Sequence, residues 1–190
     1  ISEAIGDLLK ANGEVDCPDC LNFKSGLYGE PISQYERFIR FGVNEQKIPD
    51  SHRFANHREN TVILFERMLR ECDRGRRLSG KKDNIAELKK RGVTVLDAQQ
   101  VCNTITSHPD DYIHYLEPRI MTVRECARIQ SFPDWFEFKG KYTTGGQARK
   151  LEVPRYSQVG NAIPPLFAEQ VGKALIELIN RRENGLEFQS

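Results

Sequence analysis

Apolar residues recur at helical spacing in several parts of this 190-residue chain. Near its start, Ile5, Leu8 and Leu9 fall on one face of a short predicted helix. Ser2 precedes that face and is a residue type that caps helices, while Gly13 follows it and would end the helix. We therefore expect the chain to open with a capped helix.

The middle of the chain combines irregular, helical and extended patterns. Residues 15–29 are rich in Cys, Asp, Asn, Gly and Pro and are predicted to be irregular. Residues 33–42 fit a short helix or a strand, because so short a run does not separate the two periodicities. The run from 60 to 75 predicts a helix ended by Gly75, and the β-branched run at 92–107 predicts two short strands around a turn. The inward face of the helix would carry Ile63, Leu64, Met68, Leu69 and Cys72.

Two further helices are predicted in the last third of the chain. Thr122 precedes one of them and Glu125 stands three residues later, which is the spacing of a capping box. Pro133 closes this helix, since the residue before a proline avoids the helical conformation. The other helix runs from about Pro165 to Arg182. Its inward face would carry Leu166, Val171, Leu175, Leu178 and Ile179. The pattern as a whole predicts an α+β fold.

Composition narrows the class of protein. Hydrophobic residues make up 38% and charged residues 29% of the chain, as in a globular domain. No run approaches the ~20 apolar residues of a membrane helix, and the first residues do not form a signal peptide. The five cysteines are an odd number without a regular framework, so we expect reduced thiols in a cytoplasm and no membrane partner. Because the chain begins at Ile1, we expect it to be a piece of a longer protein.

Basic residues concentrate between Arg67 and Arg91, where ten lysines and arginines stand against four acidic residues, although the whole chain has a net charge of only +1. Such a segment can follow a phosphate backbone, or it can be a solvated helix end and loop. The string GRRLSGKK favours DNA, because its glycines let a loop conform while the basic side chains reach outward. The candidate DNA-binding residues are Arg74, Arg76, Arg77, Lys81 and Lys82.

Two cysteines and two histidines raise a metal hypothesis. Cys17 and Cys20 are spaced like zinc ligands, and His52 and His57 could complete a set of four. A turn with two unlinked thiols explains the same residues. It is the favoured interpretation because a second Cys-x-x-Cys pair does not occur, and no metal site is predicted.

Hydroxyl and imidazole groups near residue 110 have open interpretations. Thr104 and Thr106 could face the two sides of a strand, or they could donate hydrogen bonds to phosphates. His108 and His114 are weak catalytic candidates, because no nucleophile is paired with them in the sequence.

Two longer motifs resemble a known enzyme family. The segment RIMTVRECARIQSFPD, from Arg119 to Asp134, resembles the ninth conserved block of DNA cytosine-5 methyltransferases. The segment QVGNAIPP, from Gln158 to Pro165, resembles the tenth and last block, and the order and separation of the two also match. The string NTIT, which contains Thr104, resembles the element that closes the family's target-recognition region. The matching ninth-block positions, expected to brace that region, are Arg119, Thr122, Arg124, Glu125, Gln130 and Pro133.

The resemblance implies a division of the chain into three parts. Residues 1–29 would link a catalytic domain to a target-recognition domain at 30–150, and residues 151–190 would hold the tenth block and the last helix. The fold would be a small mixed α+β recognition domain whose C-terminal helix packs on a Rossmann-like catalytic domain. Residues 30–107 would read bases and grip phosphates of double-stranded DNA, with Thr104 and the basic residues among the contacts.

The resemblance also implies a cofactor, S-adenosylmethionine, at the tenth block. Gly160, Asn161 and Ala162 would complete its pocket, with Asn161 hydrogen-bonding the amino-acid end of the cofactor. Gly160 would allow close backbone approach. Pro164 and Pro165 would set the start of the last helix.

The catalytic elements of the family do not occur in the chain. No Cys follows a Pro, and neither Glu-Asn-Val nor Phe-x-Gly-x-Gly is present. In the family a Cys thiolate attacks C6 of cytosine and makes C5 nucleophilic, so the chain alone is not expected to methylate DNA. We expect its partner to be the missing N-terminal catalytic domain of a bacterial restriction-modification enzyme, and exposed apolar surface to cause self-association. The alternative is a separate, non-catalytic DNA-binding or assembly subunit.

Overall fold

In the computed structural model, residues 1–44, 48–80, 82–83, 85, 87–88, 92–143 and 152–183 are described. The helices along them are α1 (Ser2–Ile5), α2 (Gln34–Ile39), α3 (Glu59–Glu71), α4 (Val123–Ile129), α5 (Arg155–Gly160) and α6 (Pro165–Glu183). The strands are β1 (Glu14–Asp16), β2 (Lys24–Gly26), β3 (Arg77–Leu78), β4 (Val93–Val95) and β5 (Tyr112–Ile113). Helices and small sheets in one chain confirm the predicted α+β class.

The strands form two small sheets. β1 and β2 make an antiparallel hairpin in which Glu14 pairs with Gly26. In the second sheet, β4 lies in the centre, antiparallel to β3 and parallel to β5. Thr94 of β4 stands between Arg77 of β3 and Tyr112 of β5. The second sheet therefore places part of the basic run beside the residues that lead into the ninth block.

The hairpin corrects the prediction that residues 15–29 are irregular. Its strands are only three residues long and mostly polar, so the sequence gives no alternation to detect. Outside contacts hold it in place, because the N–H of Gly26 donates to His52 O at 3.1 Å and the N–H of Phe54 donates to Lys24 O at 2.8 Å. The run at 92–107 forms one strand and not two, since the second partner of β4 comes from β5.

The first helix is shorter than predicted. α1 is a single turn, and two 3-10 turns follow it at Gly6–Leu8 and Lys10–Asn12. Ser2 does not cap it, because its hydroxyl donates to Ala98 O at 3.0 Å, a tertiary hydrogen bond that local sequence does not reveal. Gly13 does end the helical stretch, with a φ of 112°.

The ambiguous run at 33–42 is helical. Ser33 caps α2 by accepting a hydrogen bond from the N–H of Glu36 at 2.9 Å, and the Glu36 carboxylate accepts one from the N–H of Ser33 at 2.9 Å. This reciprocal pair satisfies two backbone donors that a strand would leave to a neighbour.

One hydrophobic cluster joins the two ends of the chain to its middle. It contains Ile5 and Leu8 from the first turns, Val123 from α4, and Tyr156 and Val159 from α5. Each of these side chains is at most 5% exposed. The ninth and tenth blocks are thus fixed to each other by a shared core, and not only by their proximity along the chain.

A second cluster lies between α3 and the three-stranded sheet. Phe65 and Met68 of α3 pack there with Val93, Val95 and Ile113. Cys126 of α4 belongs to the first cluster and is 5% exposed.

Two helical faces that the sequence predicts to point inward are partly exposed. On α3, Ile63 is 56% exposed and Phe65 is buried, because apolar residues occupy consecutive positions there and periodicity alone does not choose among them. On α6, the side chains predicted to point inward, apart from half-buried Leu166, are between 41% and 56% exposed. No element of the described chain covers that face. It comprises Val171, Leu175, Leu178 and Ile179.

The last helix is also the longest one described, yet neither it nor any other described helix is long and apolar enough to cross a membrane.

Candidate functional site

The helix of the ninth block begins with the predicted capping box. Thr122 Oγ1 accepts from the N–H of Glu125 at 3.2 Å, and Glu125 Oε2 accepts from the N–H of Thr122 at 2.7 Å. His52 extends this arrangement. Its Nε2 lies 2.9 Å from Leu8 O and must be the protonated nitrogen, so its Nδ1 accepts the Thr122 hydroxyl proton at 2.9 Å. The start of α4 is therefore tied to the first turns of the chain.

Glu125 also holds a buried guanidinium. Arg119 donates to its two carboxylate oxygens at 2.7 and 2.9 Å, and both residues are at most 6% exposed. Burial alone would raise the pKa of Glu125, but the charge and hydrogen bonds of Arg119 outweigh it and hold the pKa below its ordinary value. Burial lowers the pKa of His52 to about 4 and that of His114 to about 3, so both imidazoles are neutral.

Arg124 is fully buried and bonds to three residues from two segments of the chain. Its guanidinium donates to Asp50 O at 2.8 Å, to Asp50 Oδ2 at 2.9 Å, to Phe136 O at 2.6 Å and to Pro133 O at 3.3 Å. With no exposed surface, this arginine cannot reach a DNA phosphate. It instead holds the loop after α4, which includes Pro133, against the segment that contains Asp50.

Arg128 lies one helical turn beyond Arg124 and is equally buried. It donates to both carboxylate oxygens of Asp7 and of Asp134, with distances to Asp134 of 2.6–3.2 Å. Asp7 also accepts from Arg40 at 3.0 Å. The last turn of α4 is thus joined to the start of the chain through charge-assisted hydrogen bonds.

The end of α4 supports the Gly-Asn-Ala turn on both sides. Gln130 Nε2 donates to Val159 O at 3.4 Å, immediately before Gly160. Ser131 Oγ accepts from the N–H of Leu166 at 3.1 Å, in the first turn of α6. The turn between these two hydrogen bonds contains Asn161, whose side chain is exposed. The role of Ser131 is not predicted from the sequence, because a serine that follows a helix carries no specific signal for this hydrogen bond.

Gly160 packs directly on the loop that contains Thr104 and Thr106. A Cβ atom at position 160 would lie 2.5 Å from Ser107 N, 2.5 Å from Thr106 C and 2.6 Å from Thr106 O. These are backbone atoms and the distances are below any real Cβ contact, so only glycine fits. The predicted cofactor turn and the predicted phosphate-binding loop are therefore neighbours, although more than fifty positions separate them along the chain.

The predicted DNA-binding arginines are exposed and already have protein partners. Arg76 pairs with Asp73 at 2.9 Å and Asp83 at 2.7 Å, and Arg74 donates to two backbone carbonyl oxygens. Arg77 lies 3.6 Å from Asp111. Such exposed pairs are weak and open readily to a phosphate.

Two further candidates complete the DNA-binding set. The side chain of Lys82 is exposed, and Lys81 lies outside the described residues.

A polar bridge joins the basic strand to the threonine loop. Asp111 accepts from Thr106 Oγ1 at 2.8 Å and faces Arg77 at 3.6 Å. Thr104 is exposed, and its carbonyl oxygen accepts from the hydroxyl of Tyr112. The structure thus brings Arg77, Thr104 and Thr106 into one region.

The four zinc ligands considered from the sequence do not meet. Both ring nitrogens of His52 are hydrogen-bonded, and His57 Nε2 accepts from the N–H of Ile120 at 3.2 Å. Among the described residues, the ligand atoms of Cys17, Asp19 and Cys20 lie within 4.8 Å of one another. The Asp19 carboxylate is already hydrogen-bonded to Arg155 and Tyr142.

The carboxylate of Asp19 anchors the segment before the Gly-Asn-Ala turn. It accepts hydrogen bonds from the Arg155 guanidinium and, at 3.1 Å, from the Tyr142 hydroxyl. The Cys17–Cys20 turn therefore positions α5, a role that its cysteines do not suggest.

Comparison with known proteins agrees with the two blocks. The model of the C-5 cytosine-specific DNA methylase family matches residues 31–177. Type II methyltransferase M.AquIB of Picosynechococcus sp. is 40% identical over 112 residues, which are 57% of this chain and 77% of that protein. Type II methyltransferase M1.HphI of Haemophilus parahaemolyticus is 27% identical over 169 residues, which are 89% of this chain and 41% of that protein.

A solved structure shares the fold. The crystal structure described as a DNA modification methyltransferase encoded within an E. coli prophage superposes with a TM-score of 0.50 at 23% identity. The match covers 89% of this chain and 43% of that one. The chain therefore spans about two fifths of its longer relatives. Since the family model covers the capped helix α4, the Gly-Asn-Ala turn and most of α6, the chain belongs to the C-5 cytosine-specific DNA methylase family.

Proposed function

We propose that this chain is the C-terminal, target-recognition part of a DNA cytosine-5 methyltransferase, which transfers a methyl group to C5 of cytosine. The observation that carries the proposal is the Gly-Asn-Ala turn. Its backbone is held on both sides by Gln130 and Ser131, while the side chain of Asn161 is exposed. A rigid turn with an exposed amide side chain is suited to binding a polar ligand that lies between the turn and a second protein surface.

S-adenosylmethionine supplies the methyl group when it is bound. The Asn161 side chain has both a donor and an acceptor and would hydrogen-bond the amino-acid end of the cofactor. Gly160 and half-buried Ala162 keep the turn narrow, and Ile163 and Phe167 are exposed apolar neighbours at 67% and 63%. These residues fit one wall of such a pocket. The remaining walls would come from the catalytic portion of the enzyme.

Double-stranded DNA is the proposed substrate. A cytosine must leave the stack before its C5 atom can react, and the recognition region holds the duplex while this happens. Arg74, Arg76, Arg77 and Lys82 are exposed and would grip phosphates, and Thr104 would contribute from the neighbouring loop. Lys81 remains part of this prediction on sequence grounds alone.

The chemistry itself would reside outside this chain. The chain has no cysteine after a proline, and its Cys126 is 5% exposed within a hydrophobic cluster. Burial raises the pKa of the Cys126 thiol well above its ordinary value, which keeps it protonated and poorly nucleophilic. The chain alone is therefore proposed to be inactive and to need the catalytic portion as its partner, in a bacterial cell that methylates its DNA.

A separate assembly subunit is the second candidate. The same 112 aligned residues make up 77% of M.AquIB but only 57% of this chain, so M.AquIB is the shorter protein. It is nevertheless named as a methyltransferase. That observation favours enzymes of this kind made from two polypeptides. The two candidates share every residue role given above and differ only in whether the catalytic portion is covalently attached.

The test is reassembly of methyl transfer. The chain is mixed with a separately expressed catalytic portion that carries the Pro-Cys and Glu-Asn-Val elements, taken from the preceding reading frame or from a neighbouring gene. Transfer of a labelled methyl group from S-adenosylmethionine to mixed-sequence DNA is then measured. We expect transfer from the mixture and none from either part alone. Transfer by the chain alone would overturn the division of roles, and no transfer from the mixture would overturn the proposal.

An Asn161→Ala variant examines the cofactor role within the same assay. Loss of a hydrogen bond to a charged group is expected to lower kcat/KM for the cofactor at least about 10-fold, mainly through KM. Asn60→Ala, at an exposed asparagine in the first turn of α3, is the matched control and should leave both constants unchanged. Equal effects of the two variants would remove Asn161 from the site.

A further inference from the structure

The contact between Gly160 and the threonine loop joins two surfaces that have different proposed ligands. Thr106 and Ser107 belong to the loop proposed to meet DNA, and Gly160 precedes the asparagine proposed to meet the cofactor. Their backbones touch with no side chain between them. A displacement of one segment must therefore move the other, because close-packed backbone has no soft element to absorb it.

Other contacts make the pair a single rigid unit. Gln130 holds Val159 on the turn side at 3.4 Å, and Asp111 holds Thr106 on the loop side at 2.8 Å. Tyr156 donates to Met121 O at 2.7 Å and connects α5 to the residue before the α4 cap. Gly172 gives a contrast, because a Cβ atom there would meet nothing within 4 Å.

We propose that Gly160 is a positioning residue that couples DNA binding by the Thr104–Ser107 loop to cofactor binding at Asn161. The inference rests on the proposed function and adds to it a linkage between its two ligands. Each ligand would favour the position of the shared unit in which both sites are formed, so each would strengthen the binding of the other by the same factor. Replacing Gly160 with alanine would push the loop off the turn and break this link even where both ligands still bind.

The experiment compares DNA affinity with and without the demethylated cofactor. Binding of a labelled duplex to the reassembled enzyme is measured by fluorescence anisotropy in the presence and absence of S-adenosylhomocysteine. For the unmodified chain we expect the cofactor to tighten DNA binding by about 5- to 100-fold. For Gly160→Ala we expect this ratio to fall to within about 2-fold of unity, with both separate affinities still measurable.

Gly26→Ala is the matched control. A Cβ atom there would come within 2.6–2.7 Å of the side chains of His52 and Phe54, so the substitution is as crowded as at Gly160 but lies at neither surface. It should lower the melting temperature and keep the ratio. A ratio preserved in Gly160→Ala, or lost equally in Gly26→Ala, would overturn the coupling.

Amide NMR spectra of the chain alone separate this inference from the proposed function. Gly160→Ala should shift the amide resonances of Thr106 and Ser107, since their backbone must move, whereas Gly26→Ala should not. Unchanged resonances at both amides would overturn the coupling whether or not the enzyme methylates. Shifted resonances together with failed reassembly would instead count against the proposed function, and the ligand coupling would fall with it.

Discussion

At the scale of single residues, buried ionisable groups determine how the chain responds to its surroundings. His114 Nδ1 accepts from the backbone N–H groups of Leu116 and Glu117, each at 3.1 Å. Its Nε2 must therefore bear the proton, and it lies 3.7 Å from a Glu125 oxygen without a closer acceptor. A second proton would have to enter a region with no exposed surface. His114 is a neutral structural residue and not a catalytic base.

The neutral histidines predict how stability depends on pH. The pKa values of His52 and His114 are about 4 and about 3 in the folded chain, against 6.5 when unfolded. Below pH 6.5 the unfolded chain binds more protons than the folded chain, so the free energy of unfolding falls as pH falls. We expect a loss of roughly 2–4 kcal/mol between pH 7 and pH 5, measured by urea unfolding.

Below pH 4.5 the depressed pKa of Glu125 adds a further loss in the same direction. His108→Asn, at an exposed histidine, is the control and should leave the slope unchanged. Equal stability at pH 7 and pH 5 would show that the two histidines are protonated or accessible in the folded chain.

Thr122 is predicted to stabilise the chain through its hydroxyl and not through its shape. Thr122→Val keeps the volume but removes the acceptor for the Glu125 N–H and the donor to His52. The lost cap and the unpaired buried imidazole together should cost about 2–4 kcal/mol in urea unfolding. Thr122→Ser, which restores the hydroxyl, should recover most of this. A Val variant as stable as the parent chain would contradict the reciprocal cap.

At the scale of elements, α6 differs from every other helix of the described chain. Its apolar stripe runs through Phe167, Val171 and Leu175, which are 42–63% exposed. Its first turn is tied to the body by the hydrogen bond that the Leu166 N–H donates to Ser131 Oγ. An amphipathic helix in this state binds another apolar surface when one is available.

The exposed stripe predicts self-association of the chain when it is purified without a partner. Phe167→Gln combined with Leu175→Gln should weaken association at least about 100-fold, since burial of each side chain contributes ~1.5–3 kcal/mol. The melting temperature of the body should not change, because neither side chain packs in its core. Sedimentation velocity over a concentration series measures the association. Gln170→Ala, at an exposed polar position of α6, is the control, and a monomeric parent chain would contradict the prediction.

Elements whose signals are local could be predicted from the sequence. The α4 cap needs only Thr122 and Glu125, three residues apart, and it forms as predicted. The β1–β2 hairpin could not be predicted from the sequence, because its strands are short and the segment at His52 that holds it is distant along the chain. The same applies to Gly160. Its motif indicates a close approach, but not that the approaching backbone belongs to Thr106 and Ser107.

At the scale of the whole molecule, one arginine connects the beginning of the chain to its middle. Arg128 bonds to Asp7, which lies 121 positions earlier, and to Asp134 in the loop after α4. Arg40 also bonds to Asp7, and Tyr28 donates to Asp134 at 2.8 Å. Separate segments of the predicted recognition and linking regions thus share one buried charge network.

Removal of Arg128 is predicted to destabilise the chain globally. Arg128→Met leaves two buried carboxylates without their main partner. This should lower the free energy of unfolding by about 3–5 kcal/mol. The urea unfolding curve at 37 °C should then no longer show a single cooperative transition. Arg128→Lys should recover only part of the loss, because an ammonium cannot form the two forked contacts. Arg70→Met, at an exposed arginine paired with Glu71, is the control and should have little effect. Wild-type stability of Arg128→Met would contradict the network's role.

The distance between Asp7 and Arg128 along the chain also affects how the protein is made. At about 5–20 residues per second, a ribosome needs on the order of ten seconds to pass from one residue to the other. During that interval the first turns of the chain have neither their charge partner nor the apolar side chains of α4. The first turns of the nascent chain therefore cannot reach their native packing until α4 has been synthesised. A molecular chaperone would bind the exposed apolar side chains during this interval.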